Sequence, residues 1–148
     1  MKQINLTVLL TVLMSMVGTK ASAHDIEVEN ADGVTIYYNF INDGTELEAT
    51  SGNDYSGDVV IPESVTHDGN TYSITAIGSG AFANCWSLTS VSIGNSVTTI
   101  GDAAFNNCSD LTSVNIPNSV TTIKEYAFSN CLSLTELTIP SSVISIDY

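Results

Sequence analysis

From position 77 onward the chain repeats its apolar pattern every 23 residues. Large apolar side chains return in phase at Phe82, Phe105 and Phe128, at Leu88, Leu111 and Leu134, and at Ile93, Ile116 and Ile139. Val97, Val120 and Val143 keep the interval, and Ile77, Ile100, Ile123 and Ile146 carry it into a fourth turn. A fixed period of this length marks an architecture of stacked units, each too small to bury its own apolar face. Full units then run over 77–99, 100–122 and 123–145, and Ile146 opens another.

Two shorter periods alternate inside each unit. Phe105, Cys108 and Leu111 are three apart with Ala104 beside them, which predicts a short helical turn with one buried face. Asp102 and Glu125 fall near its start, where a carboxylate suits a helix dipole. Val114, Asn115 and Ile116 then alternate apolar and polar, which predicts a strand with one face inward. Pro117 has no amide hydrogen to give to a ladder and marks the strand end. Val120 and Ile123 form a second short inward stretch. The fold class expected is therefore a repeat solenoid, with one short strand and one short helical turn per 23-residue unit.

Residues 24–76 show a period of two. Val34 to Phe40 and Thr45 to Ala49 alternate, and Asp32-Gly33, Asp43-Gly44 and Asp68-Gly69 are hairpin-type turns. Ile61-Pro62-Glu63-Ser64-Val65 repeats the box found at Ile116-Pro117-Asn118-Ser119-Val120. Nine additional residues around His67-Asp68-Gly69-Asn70 read as a hairpin inserted into a half-repeat. The segment is expected to be a small β-rich N-terminal cap over the first apolar face.

The first 23 residues stand apart. Lys2, the apolar run Ile4 to Val17 and Ala21-Ser22-Ala23 have the parts of a secretory signal peptide. The run is too short for a membrane span of about 20 apolar residues. Export, with a mature chain beginning at His24 and no membrane insertion after cleavage, is the expectation. The domain plan is 1–23 signal peptide, 24–76 cap and 77–148 repeats.

Cleavage would leave Lys124 alone against 16 acidic residues, a net charge of −15. So acidic a chain is repelled by phosphate backbones and anionic lipid, which excludes nucleic acid as a partner. The cysteines Cys85, Cys108 and Cys131 are odd in number and occupy one repeat position, so they read as buried free thiols rather than a disulfide framework. Helical turns of neighbouring units are expected to hold them too far apart for a bridge, which needs Cα atoms under about 7 Å. None has the paired spacing of a metal site.

With these residues in hand, the pattern Ala-Phe-x-Asn-Cys-x-x-Leu-x-x-Val-x-Ile-Pro-x-Ser-Val-x-x-Ile resembles the BspA-type leucine-rich repeats of bacterial surface proteins. It covers 77–146, and Gly94 stands where the other units have Pro117 and Pro140, a minor variation at a strand end. The resemblance implies a secreted or surface-exposed protein of a family that includes adhesins.

Candidate chemistry is sparse. Serines are plentiful at repeat positions, but His24 and His67 are the only histidines available as bases. No nucleophile, base and orienter assemble, so no catalysis, cofactor or metal is expected. A copper brace of His24, its amine and His67 is a remote alternative. Acidic turn residues such as Asp32, Asp54 and Asp58 lack calcium-loop spacing and read as solvated turns. The remaining candidates are outward strand positions: Ser90, Ser92, Ser113, Asn115, Glu136 and Thr138 should form two ladders on the concave sheet. Trp86, where other units carry Ser109 and Leu132, would serve as an interaction anchor if exposed. A protein or glycan ligand is the expected partner. The alternative is a structural spacer, or a truncated member of a longer family. The stop within a repeat motivates both that alternative and an expectation of end-to-end self-association.

Overall fold

The computed structural model describes residues 24–147 apart from Asn53; the expected signal peptide lies outside the described residues. Three hairpins build the cap. Strands β1 (Ile26–Glu29) and β2 (Thr35–Ile41) pair antiparallel, and a tight turn at Asn42–Gly44, all three residues with positive φ (50°, 56° and 80°), leads back into β3 (Glu46–Thr50). After β4 (Gly57–Ile61), strands β5 (Ser64–His67) and β6 (Asn70–Ile77) form the inserted hairpin. Asp68 and Gly69 make its two-residue turn, both with positive φ (50° and 79°), the conformation a tight hairpin of right-handed twist requires.

The repeats contribute two kinds of strand. β7 (Leu88–Ile93) and β9 (Ser113–Asn115) are the alternating strands of the first two units. Thr99–Ile100, Thr122–Ile123 and Ser145–Ile146 are two-residue rungs, β8, β10 and β11. One sheet runs β1-β2-β3-β6-β8-β10-β11, with β5 also on β6; the other is the parallel set β4-β7-β9. Cap and repeats thus share both sheets. Register is parallel between units, Ile77 beside Ile100 and Ile100 beside Ile123, so equivalent side chains stack.

Between the sheets the structure departs from expectation. The segments 78–87, 101–110 and 124–133 are arcs of consecutive turns, not helical turns. Gly80, Asn84, Ala103, Asn107, Tyr126 and Asn130 all have φ between 50° and 63°, and a right-handed helix cannot pass through such residues. Spacing by three survives because a turn also closes over three residues: Cys108 N donates to Phe105 O, and Leu111 N to Cys108 O.

Alternate amides in an arc face the next unit instead. Gly80, Phe82 and Asn84 donate their N–H groups to the carbonyls of Asp102, Ala104 and Asn106. Ala103, Phe105 and Asn107 donate in turn to Glu125, Ala127 and Ser129. Intra-arc turns and inter-arc bonds together satisfy backbone that would otherwise be buried unpaired.

Side chains inside the arcs form columns. Phe82, Phe105 and Phe128 stack with ring centroids 5.1 and 5.3 Å apart and planes within 10°. Asn107 donates from Nδ2 to Asn84 Oδ1 at 2.9 Å, and Asn130 to Asn107 at 2.8 Å. These asparagines combine two properties that suit the position: tolerance of left-handed backbone and an amide that both donates and accepts.

The cysteine column corrects another expectation. The arcs are hydrogen-bonded neighbours, so distance does not explain why the thiols are free. Cys108 Sγ donates to Phe82 O and Cys131 Sγ to Phe105 O, each at 3.1 Å, which turns each sulfur toward the preceding arc's backbone.

Gly94 is more than a strand-end variation. A Cβ there would lie 2.7 Å from Glu63 N and 2.8 Å from the carbonyl carbon of Pro62. The first repeat packs so closely on the half-repeat that only glycine fits.

Candidate functional site

The sheet β4-β7-β9 carries the candidate positions. Its register sets Ser90 beside Ser113 and Ser92 beside Asn115, the first two rungs of the expected ladders. Val91, between the two serines, turns into the core. Outward polar and inward apolar residues therefore alternate along β7 as they do in the sequence.

The third rung is different. Residues 134–140 form no strand, so Glu136 and Thr138 do not extend a hydrogen-bonded ladder. Thr138 nevertheless joins Ser90, Ser92, Ser113 and Asn115 around a shallow groove of about 370 Å³, with Val91 and Val114 in its floor. Glu136 is exposed and does not line the groove. Trp86 is 65 % exposed, two residues ahead of β7, so it is a surface aromatic rather than packing for the cap.

A residue of the cap extends the row. Asp58 pairs with Ser90 in the sheet, and its Oδ1 accepts from Ser90 Oγ at 2.6 Å and Thr89 Oγ1 at 2.8 Å. These two bonds hold the exposed carboxyl below its ordinary pKa. Asp58 was missed because it precedes the first full unit; the signal that could have found it is its place three residues before Ile61, as Ser90 stands before Ile93 and Ser113 before Ile116. Asn84, Asn107 and Asn130 were visible at 23-residue spacing, but their ladder needed the arc conformation to be understood.

Chemically, the groove offers hydroxyls, one carboxamide and a carboxylate at its margin. Such a set hydrogen-bonds neutral polar groups. The histidines lie elsewhere: His24 lies against Tyr37 with ring centroids 4.3 Å apart and planes tilted by 52°, its Nε2 3.7 Å from Glu27, and His67 faces Asp68 at 3.4 Å. Among the described residues no group of three or more His, Cys, Asp or Glu is placed to hold a metal. None of their helices is long and apolar enough to cross a membrane.

A 23-residue stacked unit, parallel rungs and an Asn-Cys column define a leucine-rich-repeat solenoid. The family model of the BspA type leucine rich repeat region matches residues 59–148, and the chain belongs to that family. Among solved structures, a leucine-rich repeat protein from Bacteroides ovatus is similar at 36 % identity and a TM-score of 0.71. The match covers 76 % of this chain and 30 % of that one. A leucine-rich repeat protein from Bacteroides capillosus is 31 % identical over 83 % of this chain and 88 % of its own, with a TM-score of 0.72. The T. pallidum leucine-rich repeat protein is 29 % identical over 76 % and 50 %, at 0.68. This chain thus spans about a third and half, respectively, of the Bacteroides ovatus and T. pallidum proteins. Among curated proteins none matches significantly.

Proposed function

We propose that this is an exported, non-enzymatic binding protein that engages a protein or glycan ligand through the β4-β7-β9 face. The observation that supports this reading most is the convergence of Ser90, Ser92, Ser113, Asn115 and Thr138 on one groove. Neutral donors and acceptors on a rigid parallel sheet suit recognition of hydroxyls or peptide groups, and solenoids commonly bind through such faces. Trp86, exposed nearby in sequence, adds an aromatic of the kind that anchors interfaces. Secretion or surface display accords with the family and with the signal-type residues 1–23.

The test is a binding screen of the purified chain against matrix proteins and surface glycans at micromolar concentration. Binding that falls at least tenfold in Asn115→Arg, which fills the groove, supports the reading. A screen with no binder, or binding unchanged in Asn115→Arg, overturns it. The second reading is a spacer within a longer surface protein. It is favoured by the fraction of the two longer relatives that this chain spans. It predicts that the β4-β7-β9 face can be substituted without loss of the whole protein's binding.

A further inference from the structure

The thiol column stands in a geometry that admits a covalent bond. The arcs 101–110 and 124–133 are joined backbone to backbone: Phe105 N donates to Ala127 O at 2.8 Å and Asn107 N to Ser129 O at 2.9 Å. Beyond the cysteines, Ser133 N donates to Ser109 O at 3.2 Å. Cys108 and Cys131 are therefore opposite one another, with bonded neighbours on either side. Backbones joined in this way stand about 4.8 Å apart, and a disulfide spans roughly 4.4–6.8 Å between Cα atoms. The Phe105 and Phe128 rings, on the same two arcs, keep a centroid spacing of 5.3 Å.

The side chains of this pair also meet. Cys131 Sγ turns toward the second unit, donating to Phe105 O at 3.1 Å, and each thiol is the other's side-chain hydrogen-bond neighbour. A bridge between them would strand no buried acceptor. Phe105 O also accepts from Cys108 N, and Phe82 O, the partner of Cys108 Sγ, also accepts from Cys85 N. The bond would thus replace weak S–H donors without leaving a carbonyl unpaired.

Access sets the order of events. Cys108 is fully buried and Cys131 only half-buried, so a reagent from solvent meets Cys131 first. Cys85 is buried against the cap, where its thiol meets the backbone of Tyr55. We infer that Cys108 and Cys131 are a redox pair, which a small-molecule disulfide converts into a bridge between the second and third units. The Cys131 thiolate attacks one sulfur of the reagent; a mixed disulfide forms at Cys131 and one small thiol leaves with the proton. Cys108 then attacks Cys131 Sγ, gives up its own proton, and the second small thiol leaves. Two hydrogens pass from the protein to the reagent, which is reduced to two thiols. The bridge clasps the third unit, where Phe128 is only half-buried and residues 134–140 add no strand. It is independent of the β4-β7-β9 face.

The experiment is oxidation of the full reduced chain with oxidised glutathione, under native conditions and in urea, read by intact mass and peptide mapping. Cleavage at Asp102 and Lys124 separates the three cysteines. The native chain should lose two hydrogens and yield one linked pair, Cys108 with Cys131, while Cys85 stays free for alkylation after unfolding. Cys85–Cys108 and Cys108–Cys131 close loops of equal length, so in urea the chain should share its bridges between them. The native bridged chain should unfold at a higher urea midpoint than the same chain after reduction. Cys85→Ala should bridge as the wild type does; if that variant fails to fold, the wild-type peptide map decides. A glutathione adduct that persists at Cys131, a native preference for Cys85–Cys108, or no oxidation overturns the inference. The same product ratio with and without urea, or a bridged chain of lower midpoint, overturns it equally.

Discussion

Tyr55 lies against Phe82 with ring centroids 4.6 Å apart, and so an aromatic from the cap closes the phenylalanine column of the repeats. Tyr37 continues the series 6.3 Å beyond Tyr55. The core is thus one column running from cap to third unit, and its members should not contribute equally.

Phe105 has a stacked ring on both sides and is fully buried. Phe105→Ala is expected to cost about 3–5 kcal/mol in urea denaturation. Phe128, only half-buried, should cost distinctly less. Equal losses at the two positions would contradict the column as described.

Gly94 offers a sharper test, because the repeat pattern recommends the wrong residue. Replacing it with proline would make the first unit match the second and third. The backbone of Pro62 and Glu63 leaves no space for the added Cβ. Gly94→Pro and Gly94→Ala should each destabilise by about 1–3 kcal/mol, measured as a lower denaturation midpoint.

Asp58 predicts a pH effect. Its carboxyl in the folded chain ionises below the ordinary 3.8, because Ser90 and Thr89 donate to the carboxylate. A depressed folded pKa gives stability that is complete above 3.8 and lost as pH falls through the folded value. Asp58→Asn should therefore flatten the acid limb of stability between about pH 5 and pH 2.5. An NMR titration of Asp58 in the wild type should give a midpoint below 3.8.

The three thiols should differ in reactivity. Cys85 is buried, and burial raises its pKa. Cys108 is raised by the Cys131 thiol beside it and by burial. Cys131 is half-exposed, and hydrogen bonding from Cys108 makes it the first of the pair to lose its proton. A thiol-reactive dye should label Cys131 in the native chain and reach Cys85 and Cys108 only on unfolding.

The register of the repeats was legible because every unit repeats the same buried positions; Phe82, Leu88, Ile93 and Val97 all turn inward where the 23-residue spacing places them. The turns at Asp43-Gly44 and Asp68-Gly69 were equally readable, since glycine relieves the positive φ they need. The arc was misread because a spacing of three is common to helices and to chains of turns. Asn84, Asn107 and Asn130 carried the distinguishing signal, an Asx residue recurring where the backbone turns left-handed. Tyr55 was invisible in the pattern, because it stands out of register with the Phe82 it meets; Asp58 comes into the register of Ser90 only when the nine inserted residues are added to the 23-residue period. Glu136 and Thr138 repeated the spacing of a strand without forming one, since β9 pairs only with β7.

Hydrogen bonds between neighbouring arcs run in both senses: Gly80, Phe82 and Asn84 donate forward to Asp102, Ala104 and Asn106, while Asp110 N donates back to Trp86 O and Ser133 N to Ser109 O. Each arc is consequently stitched to its neighbour by donors and acceptors from both sides, as strands of a parallel sheet are. An arc edge built this way is a template, and a further unit laid on it in the same register would meet both kinds of partner.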